Sequence, residues 1–480
     1  MTLFPDRNLG LALLVLCLAA SCARSGQDAG TEPERQVEPA GRPPDVVVVV
    51  LDSLRADELL REVGRRRVMP RLAAWARSAV VFRNARAPSC STPTSVAALF
   101  TSLPVPATGV DFHRALPDSA LTLAQVLRRA GYATRGYSAN PNVTARLGLD
   151  RGFDELVEAY VDPALSERVR IQPHHPGWIV RPERLIERAW TDLLGAASSE
   201  PGKPQFVYLH LLQPHAPYQP PAPHRDMFVH AGMQPVAGSI PEIARHDGRP
   251  LDPAWLAGLR ARYDEHVHWA DAATGELLDR LAAHPRFRDA AVIVLSDHGE
   301  AFGEHGRLFH NTTVFEEMLR IPLLVRVPGA VLPRAVVDAP VDLLDVAPTI
   351  CRLAGIDPPP QFWGHDLLDL AREGPPAERR EFLAVARPPA PKFPPYVALV
   401  SGRLKLIRNE RSGRESLFDL EADPEERSDL SAEQPQLLEF ARGRLDGMLA
   451  RCRGLGLGRG PQAPPLREEI ERLRSLGYTR

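Results

Sequence analysis

Asp297 and His298 stand side by side, and Glu300, Glu304, His305 and His310 follow in the same stretch. A carboxylate beside an imidazole offers two ligands to one divalent cation. Histidine also titrates close enough to neutrality to move protons. A second acid lies far away in sequence: Asp52, followed by Ser53, Leu54, Arg55, Ala56 and Asp57. Hydroxyls crowd a third place, Ser89-Cys90-Ser91-Thr92-Pro93-Thr94-Ser95. Brought to one point, these groups make a metal-assisted site with a hydroxyl nucleophile. Each also has a plain reading: Asp52 and Thr92 can simply cap helices, and a lone loop histidine can be solvated.

The elements that must position them can be read from the apolar runs. Residues 290–295 form a short, β-branched run with the length of a buried parallel strand, and the run stops on Ser296 and Asp297. Val46–Leu51 is a second such run, ending on Asp52. Ligands bind at the carboxyl edge of open α/β sheets, so two strands of this kind can set Asp52 and Asp297 side by side. Pro93 suits the first position of a helix, which makes Thr92 the expected N-cap and 96–100 the buried face. A hydroxyl there sits at the positive end of the helix dipole, where anions bind. Further strands are expected at 206–212 and 322–327. A helix at 261–282 sets Tyr263, Val267, Ala270, Leu277 and Leu281 on one core stripe. Proline-rich loops fall at 220–223 and 388–395. The stretch 381–430 reads as short strands and 466–476 as a closing helix.

With 480 residues, 44% of them hydrophobic, the chain can bury a large α/β core and a smaller companion. A net charge of −2 gives no bias towards polyanions, so no nucleic-acid partner is expected, and no protein partner is inferred. Arg7, the apolar run 9–20 and the small residues before Cys22 read as an export signal. The end of that run resembles a bacterial lipobox, in which Cys22 is lipidated. Ala19 stands where leucine is usual, which leaves plain cleavage open. Residues 23–44 then form a flexible Pro/Glu/Gly-rich tether. The expectation is an exported protein anchored to a bacterial membrane. Cys90, Cys351 and Cys452 are too scattered for a disulfide framework.

These pieces resemble the sulfatase family of the alkaline phosphatase-like superfamily. The carrying motifs are VVVVVLDSLRAD, STPTSVAALFTS, TLAQVLRRAGYATRGYSANPNV with GLDRGFDEL, LHLLQPHAPYQPP and VLSDHGEAFGEHGRLFH. Three more follow in family order: PVDLLDVAPTICRLAGI, GRLKLIRN with LFDLEADPEERSDL, and the terminal LRSLGY. The resemblance implies an α/β fold: a doubly wound, mostly parallel sheet with a small C-terminal α+β subdomain. The domains expected are 1–22 signal, 23–44 tether, 45–375 catalytic and 376–480 C-terminal. It also implies one divalent metal, with calcium first and magnesium or manganese as alternatives. Asp52, Asp297 and His298 are its expected ligands, and the nucleophile's oxygen completes the shell. His215 and His310 match positions that contact the anion or protonate the leaving group, while Arg55, His305 and Asn140 are assigned to an anionic ester substrate.

The departures from the family pattern bear on mechanism. Sulfatases carry C-x-P-S-R, whose cysteine becomes formylglycine; Cys90 has no proline two residues on and no arginine in the helix that follows. Matching Pro93 to the motif makes Ser91 the nucleophile, and matching Leu99-Phe100-Thr101 to the family helix makes it Thr92, which the helix geometry favours. The expected function is metal-dependent cleavage of a sulfate ester. Two alternatives stay open. One is a phosphoester or phosphonate hydrolase, or phosphoryl transferase, with a threonine nucleophile; the other is an inactive lipid-anchored binding protein.

Overall fold

The computed structural model describes residues 42–463 except 173–174, 328, 330–331 and 375–379. The signal-like segment, Cys22, most of the tether and the helix expected at 466–476 lie outside the described residues. Among the described residues no helix is long and apolar enough to cross a membrane.

Eight strands make the main sheet: β1 (Val46–Leu51), β2 (Val80–Phe82), β3 (Ala133–Ser138), β4 (Glu155–Glu158), β5 (Gln205–Leu211), β6 (Ala291–Leu295), β7 (Leu323–Arg326) and β8 (Val336–Val337). Their spatial order is β8-β2-β7-β6-β1-β5-β3-β4. β1 lies at the centre, parallel to both β5 and β6. β3 and β4 extend the parallel half. β7 runs antiparallel to β6 and to β2, so the run expected at 322–327 is a strand but closes the sheet in the opposite sense. The structure is thus α/β with a mixed, mostly parallel sheet, as expected.

The valine-rich β1 is apolar on both faces because both faces are covered. Val47, Val49 and Leu51 join a core with Leu185 and Leu193 of α3 (Pro182–Ser199) and with Tyr263, Val267 and Leu277 of α4 (Pro253–Ala283). Val46, Val48 and Val50 join a second core with Val96, Leu99 and Phe100 of α1 (Thr92–Thr101) and Leu127 of α2 (Leu123–Arg129). Strand alternation therefore assigns each residue to one side, and the two helical layers complete a doubly wound fold.

A second, antiparallel sheet follows: β9 (Glu381–Ala386), β10 (Tyr396–Ser401), β11 (Leu404–Asn409) and β12 (Glu415–Asp419). Its core, Leu383, Val385, Leu399, Leu406 and Leu417, packs with Leu445 of α5 (Pro435–Gly454) and reaches Ala98 on α1. Lys405 of β11 is fully buried, with Nζ 2.9 Å from Glu316 and 2.8 Å from Glu426. The Val385 N–H donates to the Pro88 carbonyl at 3.0 Å, so the second sheet also steadies the hydroxyl-rich loop that leads into α1.

Candidate active site

β1 and β6 are parallel neighbours, so Asp52 and Asp297 leave the same edge of the sheet. Ser296 ties the two exits together. Its hydroxyl oxygen lies 2.7 Å from the carbonyl oxygens of Leu51 and His298 and accepts the Leu54 N–H at 2.9 Å. Asp297 Oδ1 accepts the N–H of Ser53 at 3.2 Å and of His298 at 3.0 Å. Its Oδ2 is buried and has no hydrogen-bond partner among the described residues. Asp52 Oδ1 accepts the Ser53 hydroxyl at 3.0 Å, while Oδ2 takes His210 Nε2 at 3.1 Å and the Asn140 amide.

The donor set fits a divalent cation. One ligand atom each from Asp52, His210 and Asp297 lies within 4.8 Å of the others. His298 Nε2 joins them, 3.5 Å from Asp297 Oδ2 and 3.8 Å from Asp52 Oδ1. Two buried carboxylates at this spacing repel unless positive charge stands between them, and the orphaned Asp297 Oδ2 is an acceptor suited to a cation. Burial alone would raise the Asp52 carboxyl, but the His210 hydrogen bond and the neighbouring His215 and His298 hold it well below the usual carboxylate range. Burial likewise disfavours a charged His298, yet Asp297 and Asp52 outweigh it and raise its pKa.

His210 is absent from the site residues expected on sequence grounds. It sits near the end of β5, in register with Val50 of β1, and its Nδ1 lies 2.8 Å from the Tyr208 hydroxyl. With Tyr208 donating to Nδ1, Nε2–H donates to Asp52 and fixes the carboxylate's orientation, so His210 stands behind the cation site rather than on it.

The hydroxyl-rich loop before α1 differs from the expectation by one residue. α1 begins at Thr92, so Ser91 is the N-cap, and its side chain makes no capping bond. Ser91 Oγ lies 3.1 Å from Ser89 Oγ and 3.0 Å from Thr94 Oγ1. Thr92 Oγ1 instead lies 3.4 Å from His298 Nε2 and accepts the Asn140 amide at 3.2 Å. The two hydroxyls therefore diverge, and it is Thr92 that meets His298 and Asn140. Asn140 bridges Thr92 and Asp52. The Cys90 thiol is fully buried, and that burial pushes its pKa up to about 12, which leaves it inert.

Three histidine rings cluster around this point, tilted against one another. His310 lies 4.5 Å from His298 and 4.8 Å from His215, centroid to centroid. Each has Nδ1 on an acceptor: His298 on the Gly299 carbonyl at 2.9 Å, His215 on the Ala216 carbonyl, and His310 on Glu300 at 2.9 Å. With Nδ1–H donating, each ring is held in one orientation and carries its basic lone pair on Nε2. Burial lowers the pKa of His215 and, helped by the charge on His298, takes His310 down to about 3. Glu300 is fully buried and also accepts the Tyr218 hydroxyl at 3.0 Å. Phe309 and Asn311 flank His310 with φ of 65° and 66°, a strained left-handed backbone that fixes the ring's approach. The Asn311 N–H donates to the Cys90 carbonyl at 3.1 Å and so clips this loop to the hydroxyl-rich loop before α1.

Glu300 thus positions His310. Glu300→Leu should lower kcat about 10- to 100-fold with a smaller change in KM, the size usual for removing an outer partner of a site histidine. Glu300→Gln keeps an acceptor and should recover most of that loss. Steady-state kinetics check this, and a Leu variant with the parent's kcat would contradict it.

Two expected substrate contacts lie elsewhere. The Arg55 guanidinium grips Asp57 at 2.9 Å, Glu304 at 2.8 Å and the Glu300 carbonyl at 2.8 Å, so its charge is already neutralised. His305 turns away from the cluster: Nδ1 is 3.1 Å from Glu317, Nε2 is 3.1 Å from the Glu426 carbonyl, and the ring stacks on Phe315 at 3.6 Å. Proximity in sequence to Asp297 does not bring it near in space, because the chain reverses through Gly303 and a left-handed His305.

The family model described as "Sulfatase" matches residues 44–356, and one described as "N-sulphoglucosamine sulphohydrolase, C-terminal" matches 303–446. An ulvan-active sulfatase of Formosa agariphila is 26% identical over 460 residues, covering 92% of this chain and 85% of that protein. A solved structure in complex with its substrate D-glucosamine-2-N,6-O-disulfate superposes with a TM-score of 0.66 at 17% identity, covering 86% and 99% of the two chains. A phosphonate monoester hydrolase from Silicibacter pomeroyi superposes with a TM-score of 0.65 at 22% identity, covering 85% and 95%. At these identities the two structures speak for the fold.

Proposed function

The chain belongs to the sulfatase family and as such hydrolyses sulfate esters, and we propose that it does so through an unmodified hydroxyl, that of Thr92. The observation that carries this is the divergence of the two hydroxyls, with Thr92 Oγ1 among His298 and Asn140 while Ser91 Oγ faces Ser89 and Thr94. The metal held by Asp52, Asp297 and His298, oriented from behind by His210, would neutralise the ester's anionic oxygens and acidify the hydroxyl. Oxygen ligands suit calcium or magnesium, whereas an imidazole among carboxylates ranks manganese ahead of them.

Thr92 Oγ attacks sulfur, and its proton passes to the neighbouring neutral imidazoles of His215 and His310. The ester's oxygen leaves with a proton returned from that pair. General acid–base help of this kind contributes about 10²–10⁴-fold. Asn140 donates to Thr92 Oγ and holds it in line. The resulting sulfo-threonine has no second hydroxyl on the same carbon, so it is released by attack of water on sulfur. That route is familiar in phosphoryl transfer, and it keeps a phosphate or phosphonate ester as the second reading. Rates on aryl sulfate, phosphate monoester, phosphodiester and phosphonate panels, with added metals, decide between them.

We also place the catalytic domain outside the cytoplasm, anchored through a lipidated Cys22. Cys22→Ala should move the protein from the membrane to the soluble exported fraction, as judged by fractionation. A parent protein found wholly soluble and without lipid would contradict this.

A further inference from the structure

Apart from the catalytic cluster, two imidazoles meet head to head. His224, in the loop that follows β5, and His268, on α4, bring their Nδ1 atoms to 3.0 Å, with ring centroids 5.2 Å apart. Both residues are half-buried. The loop is pinned to α4 on either side of His224. Upstream, His266 Nδ1–H donates to the Pro214 carbonyl at 3.1 Å. Downstream, Arg262 reaches Asp226 at 2.8 Å, and Glu265 accepts the Phe228 N–H at 3.4 Å. Between these points Pro220, Pro221 and Pro223 fix φ, and the His224 N–H donates to the Pro221 carbonyl at 2.9 Å. The Phe228 ring backs His268 at 5.9 Å. Burial holds both imidazoles below their usual pKa, and the neighbouring His224 and Arg66 add to the effect on His268. Both rings therefore stay neutral near pH 7, the state in which histidine ligates a metal.

We infer that His224 and His268 form a second metal site, one that takes copper(II) and clasps the loop carrying His215 to α4. The pair shares no residue with the catalytic cluster. Neutral imidazole suits copper, nickel and zinc, whereas calcium and magnesium ask for oxygen. Metal–nitrogen bonds run about 2.0–2.1 Å, so two nitrogens 3.0 Å apart subtend about 95° at a shared ion. That is close to the right angle of tetragonal copper(II) or nickel(II). Tetrahedral zinc would want the nitrogens about 3.3–3.4 Å apart. Copper stands above nickel in intrinsic affinity, which ranks it first. Without metal, one ring donates its N–H to the other. On binding, that ring carries its proton on Nε2 instead, so both Nδ1 lone pairs face the ion and no net proton is lost. The χ2 torsion of histidine is soft, so small ring rotations bring the two lone pairs to one point. The loop is already held in place, so little ordering cost opposes binding.

The test titrates copper(II) chloride into Asp297→Asn, whose catalytic centre is disarmed, and into the same protein carrying His224→Ala, His268→Ala or His230→Ala. His230 is the control: it lies in the same loop, but its Nδ1 sits 3.1 Å from its own neighbour Met233 Sδ. Copper bound at the pair should give a tetragonal electron paramagnetic resonance spectrum split by two imidazole nitrogens. His224→Ala and His268→Ala should each bind that copper at least about tenfold more weakly, since losing a ligand costs no less than losing a ligand's outer partner. His230→Ala should bind it as before. Copper should also raise the melting temperature of Asp297→Asn and leave that of its His224→Ala form unmoved. Melts without copper show that each variant is folded. Should an alanine variant melt early, His224→Gln keeps a polar contact without an imidazole and should show the same loss. Copper uptake unchanged in His224→Ala or His268→Ala, a spectrum without two imidazole nitrogens, zinc bound more tightly than copper, or copper lost with His230 overturns the inference.

Discussion

Thr92→Ala abolishes turnover, by about 10⁴-fold or more, while Cys90→Ala keeps it near the parent's level. The size follows from what nucleophile removal does where the group forms the covalent ester. Ser91→Ala should cost only a fraction of the rate, because its oxygen bonds Ser89 and Thr94 and shapes the loop. Cys90 is a buried thiol in an apolar cluster with Val314 and Met318, so its loss leaves a small void of about 1 kcal/mol in stability and no chemical gap. Rates for the three variants at saturating substrate, with thermal melts to show that each is folded, check the set. An inactive, folded Cys90→Ala would restore an oxidised cysteine as the nucleophile.

Asp297→Asn and His298→Ala should each lose bound metal and at least about 10³-fold of kcat/KM, since Lewis-acid stabilisation amounts to several kcal/mol. The metal-free proteins give a second, activity-independent readout. In the parent, Asp52 and Asp297 are buried together, so adding the cation should raise the melting temperature by binding only the folded state. Asp297→Asn removes one of the two like charges and should show no such rise. Metal content by elemental analysis and melts with manganese, calcium or magnesium added check this. Parent-like metal content in either variant would contradict the site.

Much of this site is legible in the amino-acid order alone. Two apolar runs that end on Asp52 and Asp297 are enough to place both acids on one sheet edge, because a strand apolar on both faces must lie inside a covered parallel sheet. The stripe at Tyr263, Val267 and Leu277 marks α4 for the same reason. His210 is harder to find because it lies inside a strand of apolar neighbours; only the pairing of β5 beside β1 turns it towards Asp52. His305 misleads for the opposite reason, since crowding in sequence is not crowding in space. The start of α1 shifts by one residue, because a proline fits both the first and second positions and cannot choose between them. The meeting of His224 with His268 depends on a loop packing against α4, which no local pattern encodes. The antiparallel sense of β7 is hidden as well, as a buried strand reads alike in either direction.

The most direct test of the central claim is mass spectrometry of the tryptic peptide 87–114, bounded by Arg86 and Arg114, after an acid quench during turnover of a sulfate ester. It holds Cys90, Ser91 and Thr92 together and reads both modification and intermediate. The account predicts an intact cysteine at 90 and one sulfo group on Thr92, absent from Thr92→Ala. A peptide lighter by the cysteine-to-formylglycine difference, or a sulfo group on Ser91, would contradict it.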